Sequence, residues 1–149
     1  METKIQREFI YHGFGFPVKF KNVPMIKVRG TWTPKVDYQR IAKELLYALA
    51  FKPGRLTGHE VRFIRLEAGI TLQEFGKRFD VSHVAVLKWE KAGDRVTPMA
   101  WSIEKDLRLS ILKREGEGAA ELAKLYAELE AVHTSKGPVL EISVGRAAA

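Results

Sequence analysis

Thr71-Leu72-Gln73-Glu74-Phe75-Gly76-Lys77-Arg78-Phe79-Asp80-Val81-Ser82-His83-Val84-Ala85-Val86-Leu87-Lys88-Trp89-Glu90-Lys91 holds two helix starts separated by one tight turn. Thr71 and Glu74 fit a capping box, in which a hydroxyl and a carboxylate three residues on satisfy N–H groups that a first helical turn leaves free. The helix they start runs over about Leu72 to Phe79, with Phe75 and Phe79 four apart on one face. Asp80-Val81 turns the chain, and Ser82 caps a next helix that carries Val86 and Trp89 and ends at Gly93. Upstream, Thr57-Gly58-His59-Glu60 fits another capping box. Its helix, about Gly58 to Ala68, aligns Val61, Ile64 and Arg65 and ends at Gly69.

Two more helices are expected downstream. Thr97 with Pro98 reads as the cap of one, because Pro is tolerated in a first turn. Gly116 and Gly118 interrupt before another, Ala119 to about His133, whose Leu122, Leu125, Leu129 and Val132 form a stripe that needs a partner. A dimer contact through one of these last two helices is the expected use of that stripe. Val139 to Val144 suits a strand, and Arg146 to Ala149 a frayed end.

Toward the N-terminus the character differs. Phe9 to Val28 is rich in aromatic and β-branched residues punctuated by Gly13, Gly15, Pro17 and Pro24. Val18-Lys19-Phe20-Lys21 and Ile26-Lys27-Val28-Arg29 alternate apolar with basic residues, the period-2 signature of short half-buried strands, with Asn22-Val23-Pro24 turning between them. A small antiparallel sheet with a basic outer face follows. Asp37 then caps a helix to Phe51, with Ile41, Leu45, Ala48 and Leu49 on one stripe to cover the sheet. The expected class is α+β: a small β-rich module with a helix over residues 1–54, an all-α domain over 55–115, and a C-terminal helix and tail over 116–149, the helical part having about five helices.

The 149 residues carry 46% hydrophobic and 29% charged side chains, as in a folded soluble protein. No run of about 18 apolar residues is available to cross a membrane, and Met1-Glu2-Thr3-Lys4 opens no secretory signal, so the expected location is cytoplasmic. There is no cysteine, hence no disulfide and no thiolate metal site. The net charge of +7 is uneven: +5 over residues 1–51, +3 over 52–95 and −1 over 96–149. A basic N-terminal two-thirds suits a polyanion, since each cation placed near a phosphate releases a counterion. Enzyme chemistry finds little support. Gly13-Phe14-Gly15 lacks the third glycine, the Lys and the strand-to-helix setting of a phosphate loop. His59-Glu60 has no second His, and no nucleophile stands beside a base and an orienting acid. Neither a metal nor another cofactor is expected.

Residues 71–91 resemble the Xre/Cro/lambda-repressor family. Gly76 falls where that family has a small residue, Val81 and Val86 at buried positions, and Trp89-Glu90 at its Trp-Glu or Tyr-Glu. Leu72 stands where many members have Gln, and Gln73 follows. The resemblance implies a DNA-binding set of Thr71, Gln73, Ser82, His83, Val84, Ala85, Lys88 and Lys91, with His83, Val84 and Ala85 at the exposed start of a recognition helix. In such a place His83 would donate to a purine edge, Val84 or Ala85 would meet a thymine methyl, and the lysines would contact phosphate or guanine. It also implies a structural ion pair between Arg65 and Glu90.

Upstream, Gly15-Phe16-Pro17-Val18-Lys19-Phe20-Lys21-Asn22-Val23-Pro24 and Leu56 to Arg65 look like the MqsA-type antitoxins, which join a small N-terminal module to an Xre-type domain. Many of these bind structural zinc through cysteines. Here Val28-Arg29-Gly30 occupies a ligand region, and packing of Phe14, Phe16, Phe20 and Trp32 is expected instead. The function expected is sequence-specific binding of double-stranded DNA at a palindromic operator by a homodimeric repressor, in the manner of a type II antitoxin. The alternative is a protein-interaction module whose N-terminal unit binds a toxin or other partner, with DNA binding secondary.

Overall fold

The computed structural model describes residues 2–132 and 134–144. The expected helix end at His133 and the tail from Arg146 to Ala149 lie outside them. The fold is α+β. Strands β1 (Thr3–Tyr11), β2 (Val18–Val28) and β3 (Thr31–Pro34) precede α1 (Tyr38–Ala50). Five helices follow: α2 (Gly58–Glu67), α3 (Leu72–Arg78), α4 (His83–Lys91), α5 (Trp101–Arg114) and α6 (Ala119–Glu128). A 3-10 turn, Leu129–Ala131, and strand β4 (Glu141–Ser143) complete the order.

Two compact units result, one from residues up to Leu45 together with those from Val139 onward, the other Leu46–Pro138. The division therefore falls inside α1 and not at Pro53-Gly54, and the C-terminal strand belongs to the first unit. Its cause is a long-range pairing: β4 lies parallel to Lys19, Phe20 and Lys21 of β2.

In the first unit β2 is central, antiparallel to β1 along one edge and to β3 along part of the other. The two short strands expected around a turn at Asn22-Val23-Pro24 are instead this one strand of 11 residues. The register with β1 does not slip, yet the buried face changes parity at Asn22, whose φ is 52°. Val18 and Phe20 are buried on one side of Asn22, Val23 and Met25 on the other. Asn tolerates this left-handed conformation better than most residues. The consequence for Ile26 and Val28 is that they leave the core face, and Val28 is exposed. Pro24 survives in a central strand for a simple reason. Its carbonyl accepts from Lys35 N–H at 2.8 Å, so its missing donor points to the same side, in the gap between the stretches paired with β4 and β3.

The outer lysines of β2 are paired: Lys21 with Glu8 at 3.0 Å and Lys19 with Glu141 at 3.4 Å. Ile41, Ala42 and Leu45 of α1 are buried with the sheet residues, and Asp37 Oδ1 caps the helix by accepting from Gln39 and Arg40 N–H. Tyr11 anchors an aromatic cluster, its ring centroid 5.1 Å from Phe20, 5.1 Å from Phe14 and 5.2 Å from Tyr38. Trp32 is not part of that cluster. It lies half-buried beneath Lys4 and Lys27, whose ammonium groups stand 4.4 and 5.8 Å from its ring centre.

The second unit surrounds Leu49, Leu56, Val61, Ile64, Phe75, Val86, Ile111, Leu112 and Leu125, each at most 1% exposed. Its core also holds charges that sequence patterning did not single out. Arg108 is fully buried and donates to Glu104 and to the carbonyls of Lys52 and Gly54. Glu104 also accepts from Arg55 at 2.7 Å and from the Leu56 N–H. Lys52 meets Glu60 at 2.6 Å, both nearly inaccessible. Every polar atom in these groups has a partner, as burial of charge demands.

Of the Leu122, Leu125, Leu129 and Val132 stripe, Leu125 and Leu129 are 0% and 3% exposed within the chain and close its own core, which leaves them unavailable to a dimer; Leu122 and Val132 are half-buried.

Candidate nucleic-acid interface

Both capping boxes form. Thr57 Oγ1 accepts from Glu60 N–H while Glu60 Oε1 accepts from Thr57 N–H, at 3.2 and 2.8 Å. Thr71 and Glu74 do the same at 3.1 and 3.2 Å. Between α3 and α4 the chain turns over Phe79 to Ser82, with Asp80 at φ 56°. Val81 N–H donates to Gly76 O at 2.9 Å, and Ser82 Oγ accepts from Ala85 N–H at 3.2 Å to start α4. The turn lies so close to α3 that a Cβ on Gly76 would stand 2.6 Å from Val81 O. Glycine is required there by space, not by backbone angle.

Three aromatic rings lock this pair of helices. Phe75, Phe79 and Trp89 meet edge to face, with centroids 5.2 to 6.2 Å apart, and Val86 is wholly buried beside them in sequence. Arg65 of α2 reaches Glu90 of α4 with two bonds, Nε to Oε2 at 2.7 Å and Nη2 to Oε1 at 3.1 Å. Its Nη1 donates to Ile70 O at 3.0 Å, just before α3. One buried guanidinium thus ties α2, α4 and the start of α3 together.

What this scaffold leaves in solvent is the other side of α4. Ser82, His83, Val84, Lys88 and Lys91 are exposed, Val84 at 48%, and Ala85 is half-buried. Val84 is thus a large apolar side chain left about half in solvent beside an exposed histidine. Thr71 and Gln73 are exposed at the start of α3. The oxygens of Thr71 and Ser82 are engaged in caps, so each hydroxyl retains its hydrogen as a donor. Val81 is half-buried rather than buried.

Lys88 and Lys91 line a shallow hollow with Ala92, Arg95, Val96 and Pro98. Arg95 was not among the expected site residues; it lies beyond the end of α4, past the turn at Gly93, where φ is 62°, so no helical spacing from Lys88 or Lys91 pointed to it. No carboxylate lines that hollow, and the neighbouring Asp94 is engaged by Lys136 at 2.9 Å, which holds its carboxyl below the usual range.

Thr97 does not cap α5. Its hydroxyl donates to Trp89 O at 3.1 Å and accepts from Met99 N–H at 3.3 Å, fastening the segment after α4 back onto that helix. The first residue of α5 is Trp101, and its N-cap, Ala100, supplies no side-chain bond. Among the described residues, no group of three or more His, Asp or Glu is placed to hold a metal, and no helix is long and apolar enough to cross a membrane.

No family model, curated protein or solved structure matches the chain.

Proposed function

We propose that this protein is a sequence-specific DNA-binding transcriptional regulator of the Xre type, acting as a homodimeric repressor, with α4 as its recognition helix. The observation that carries the reading is the contrast between the two sides of α4. One side is pinned by Trp89, Val86 and the Arg65–Glu90 pair; the other presents His83, Val84 and Ala85 at its N-terminal end and Lys88 and Lys91 farther along. A helix held rigidly with base-sized donors and a methyl group at its tip, and cations farther along, has the chemistry of major-groove readout. The net charge of +7 favours a polyanionic partner.

The test is selection of binding sites from random duplexes. An enriched inverted repeat, with half-sites one helical turn or a multiple apart, is expected of a homodimer. His83→Ala then lowers affinity for the selected site by about 1–3 kcal/mol and leaves random DNA nearly unaffected. Lys88→Ala weakens both and reduces the salt slope by about one unit. Failure to enrich any sequence refutes the proposal.

A second reading follows from the first unit, which has its own core around Phe16, Val18, Phe20, Val23 and Met25. An independent unit of this kind suits capture of a protein partner, as in a type II antitoxin. Co-purification of the full chain with the product of the adjacent gene is the expected outcome, and recovery of the chain alone counts against it.

A further inference from the structure

β1 is an edge strand of nine residues, paired along one side only among the described residues. Long edges of this kind are usually blunted, since their free N–H and C=O groups invite another strand. Here the edge carries two exposed isoleucines, Ile5 at 68% and Ile10 at 43%. It also carries Arg7, exposed and without an ion-pair partner among the described residues, next to Glu8. Gln6 Nε2 donates to Glu8 O at 2.8 Å, a bond that another strand's N–H can replace.

The parity of β1 restricts what can pair with it. Phe9 and Tyr11 face inward opposite Phe20 and Val18, whereas on the other side of Arg7 it is Gln6 that faces inward, opposite Val23. Ile10 and Ile5 consequently share the outer face although they are five residues apart. An ordinary strand alternates without interruption, so it would match one half of β1 and mismatch the other. A second copy of β1, antiparallel about a twofold axis at Arg7 and Glu8, carries the same interruption at the same place. In that register Ile5 opposes Ile10 of the second copy, Gln6 opposes Phe9, and Arg7 opposes Glu8, twice over by symmetry. On the outer face isoleucine meets isoleucine and each Arg7 meets a Glu8.

We propose that two copies of this chain associate through β1, joining their sheets edge to edge into one continuous antiparallel sheet. This keeps the homodimer of the functional reading and gives it a surface, in place of the α6 stripe, whose Leu125 and Leu129 the core consumes. It does not rest on the DNA reading, because the association is measured without DNA.

Sedimentation velocity of the full chain is expected to show a dimer. Arg7→Glu sets Glu against Glu8 at two places and raises the dissociation constant at least about tenfold. Ile5→Lys does the same by burying a charge in the joint. The reversal Arg7→Glu with Glu8→Arg, made together with Lys21→Glu so that position 8 keeps its ion pair within the sheet, restores the charges across the joint and recovers the dimer, an outcome that a merely destabilised fold would not produce. Since the chain has no cysteine, the double variant Ile5→Cys with Ile10→Cys reports the register directly. Within one strand those positions are about 17 Å apart, too far to bridge, so oxidation yields a covalent dimer only if position 5 faces position 10 of another copy. A monomer at all accessible concentrations, a dimer indifferent to Arg7→Glu, or no cross-linked dimer would overturn the proposal. Loss of DNA selectivity with the dimer intact would overturn the functional reading alone.

Discussion

Replacing Gly76 by Ala sets two effects against each other in α3, and the structure decides which wins. Alanine in a helix interior is favoured over glycine by about 1 kcal/mol, so α3 on its own would gain. The added Cβ, however, stands 2.6 Å from Val81 O and 3.2 Å from the carbonyl carbon and oxygen of Ser82, where ordinary contact begins at 3.4 Å. All of these atoms are backbone in the turn that aims α4. They cannot rotate away as a side chain would, and Val81 N–H is itself bonded to Gly76 O at 2.9 Å. Relief therefore means displacing the turn and α4 with it, which calls for the upper end of the ~1–3 kcal/mol typical of overpacking. The net expectation is destabilisation of about 2 kcal/mol, read as a lower urea midpoint at unchanged slope. A Gly76→Ala protein as stable as the wild type, or more so, would refute the close approach of α3 to the turn.

Further outcomes test other parts of the same account. Arg65→Met leaves Glu90 buried without its cation and should cost about 3–5 kcal/mol in chemical denaturation, most of it recovered in Arg65→Met with Glu90→Leu; a single-variant cost below about 1 kcal/mol would show the pair to be dispensable. Leu125→Glu places a carboxylate at a fully buried position, so circular dichroism should show loss of helical structure or a sharply lowered Tm; a well-folded protein of wild-type Tm would contradict the core role of α6. Tyr47 donates to Glu121 at 2.5 Å, and this bond, with burial, raises its phenol to about 12 from an ordinary 10.0. Because the folded value lies above the unfolded one, its contribution to stability is fully present below the unfolded value and is lost as the pH rises through about 12. Absorbance titration at alkaline pH, wild type against Tyr47→Phe, should show the missing step near 12, and a difference centred near 10 would refute the bond.

The parts that could be read from the residues alone are those whose physics is local. Thr57 with Glu60, Thr71 with Glu74, Ser82 and Asp37 each satisfy their own helix's first N–H groups within three residues, so their order in the chain specifies the helix starts. The exposed start of α4 was implied by the family resemblance rather than by local physics; His83 and Val84 are exposed there and Ala85 is half-buried. Tertiary structure decided what spacing cannot carry. Thr97 looked like a cap, but a hydroxyl that finds Trp89 O close in space bonds there and not to the helix ahead. Asn22 looked like part of a turn, but antiparallel pairing with β1 on both sides of it outweighs a single left-handed residue and leaves only a change of face. The leucines of α6 had the same periodicity whether they met another chain or their own. Only the volume around Leu125 and Leu129 chose between these, because a buried side chain is worth its full transfer energy wherever the nearest apolar surface lies. Nothing in the four-residue spacing of Glu104 and Arg108 distinguishes a buried pair from a surface one. They are buried because the carbonyls of Lys52 and Gly54, more than fifty residues away, arrive to complete the shell of hydrogen bonds that makes a charge tolerable in a core.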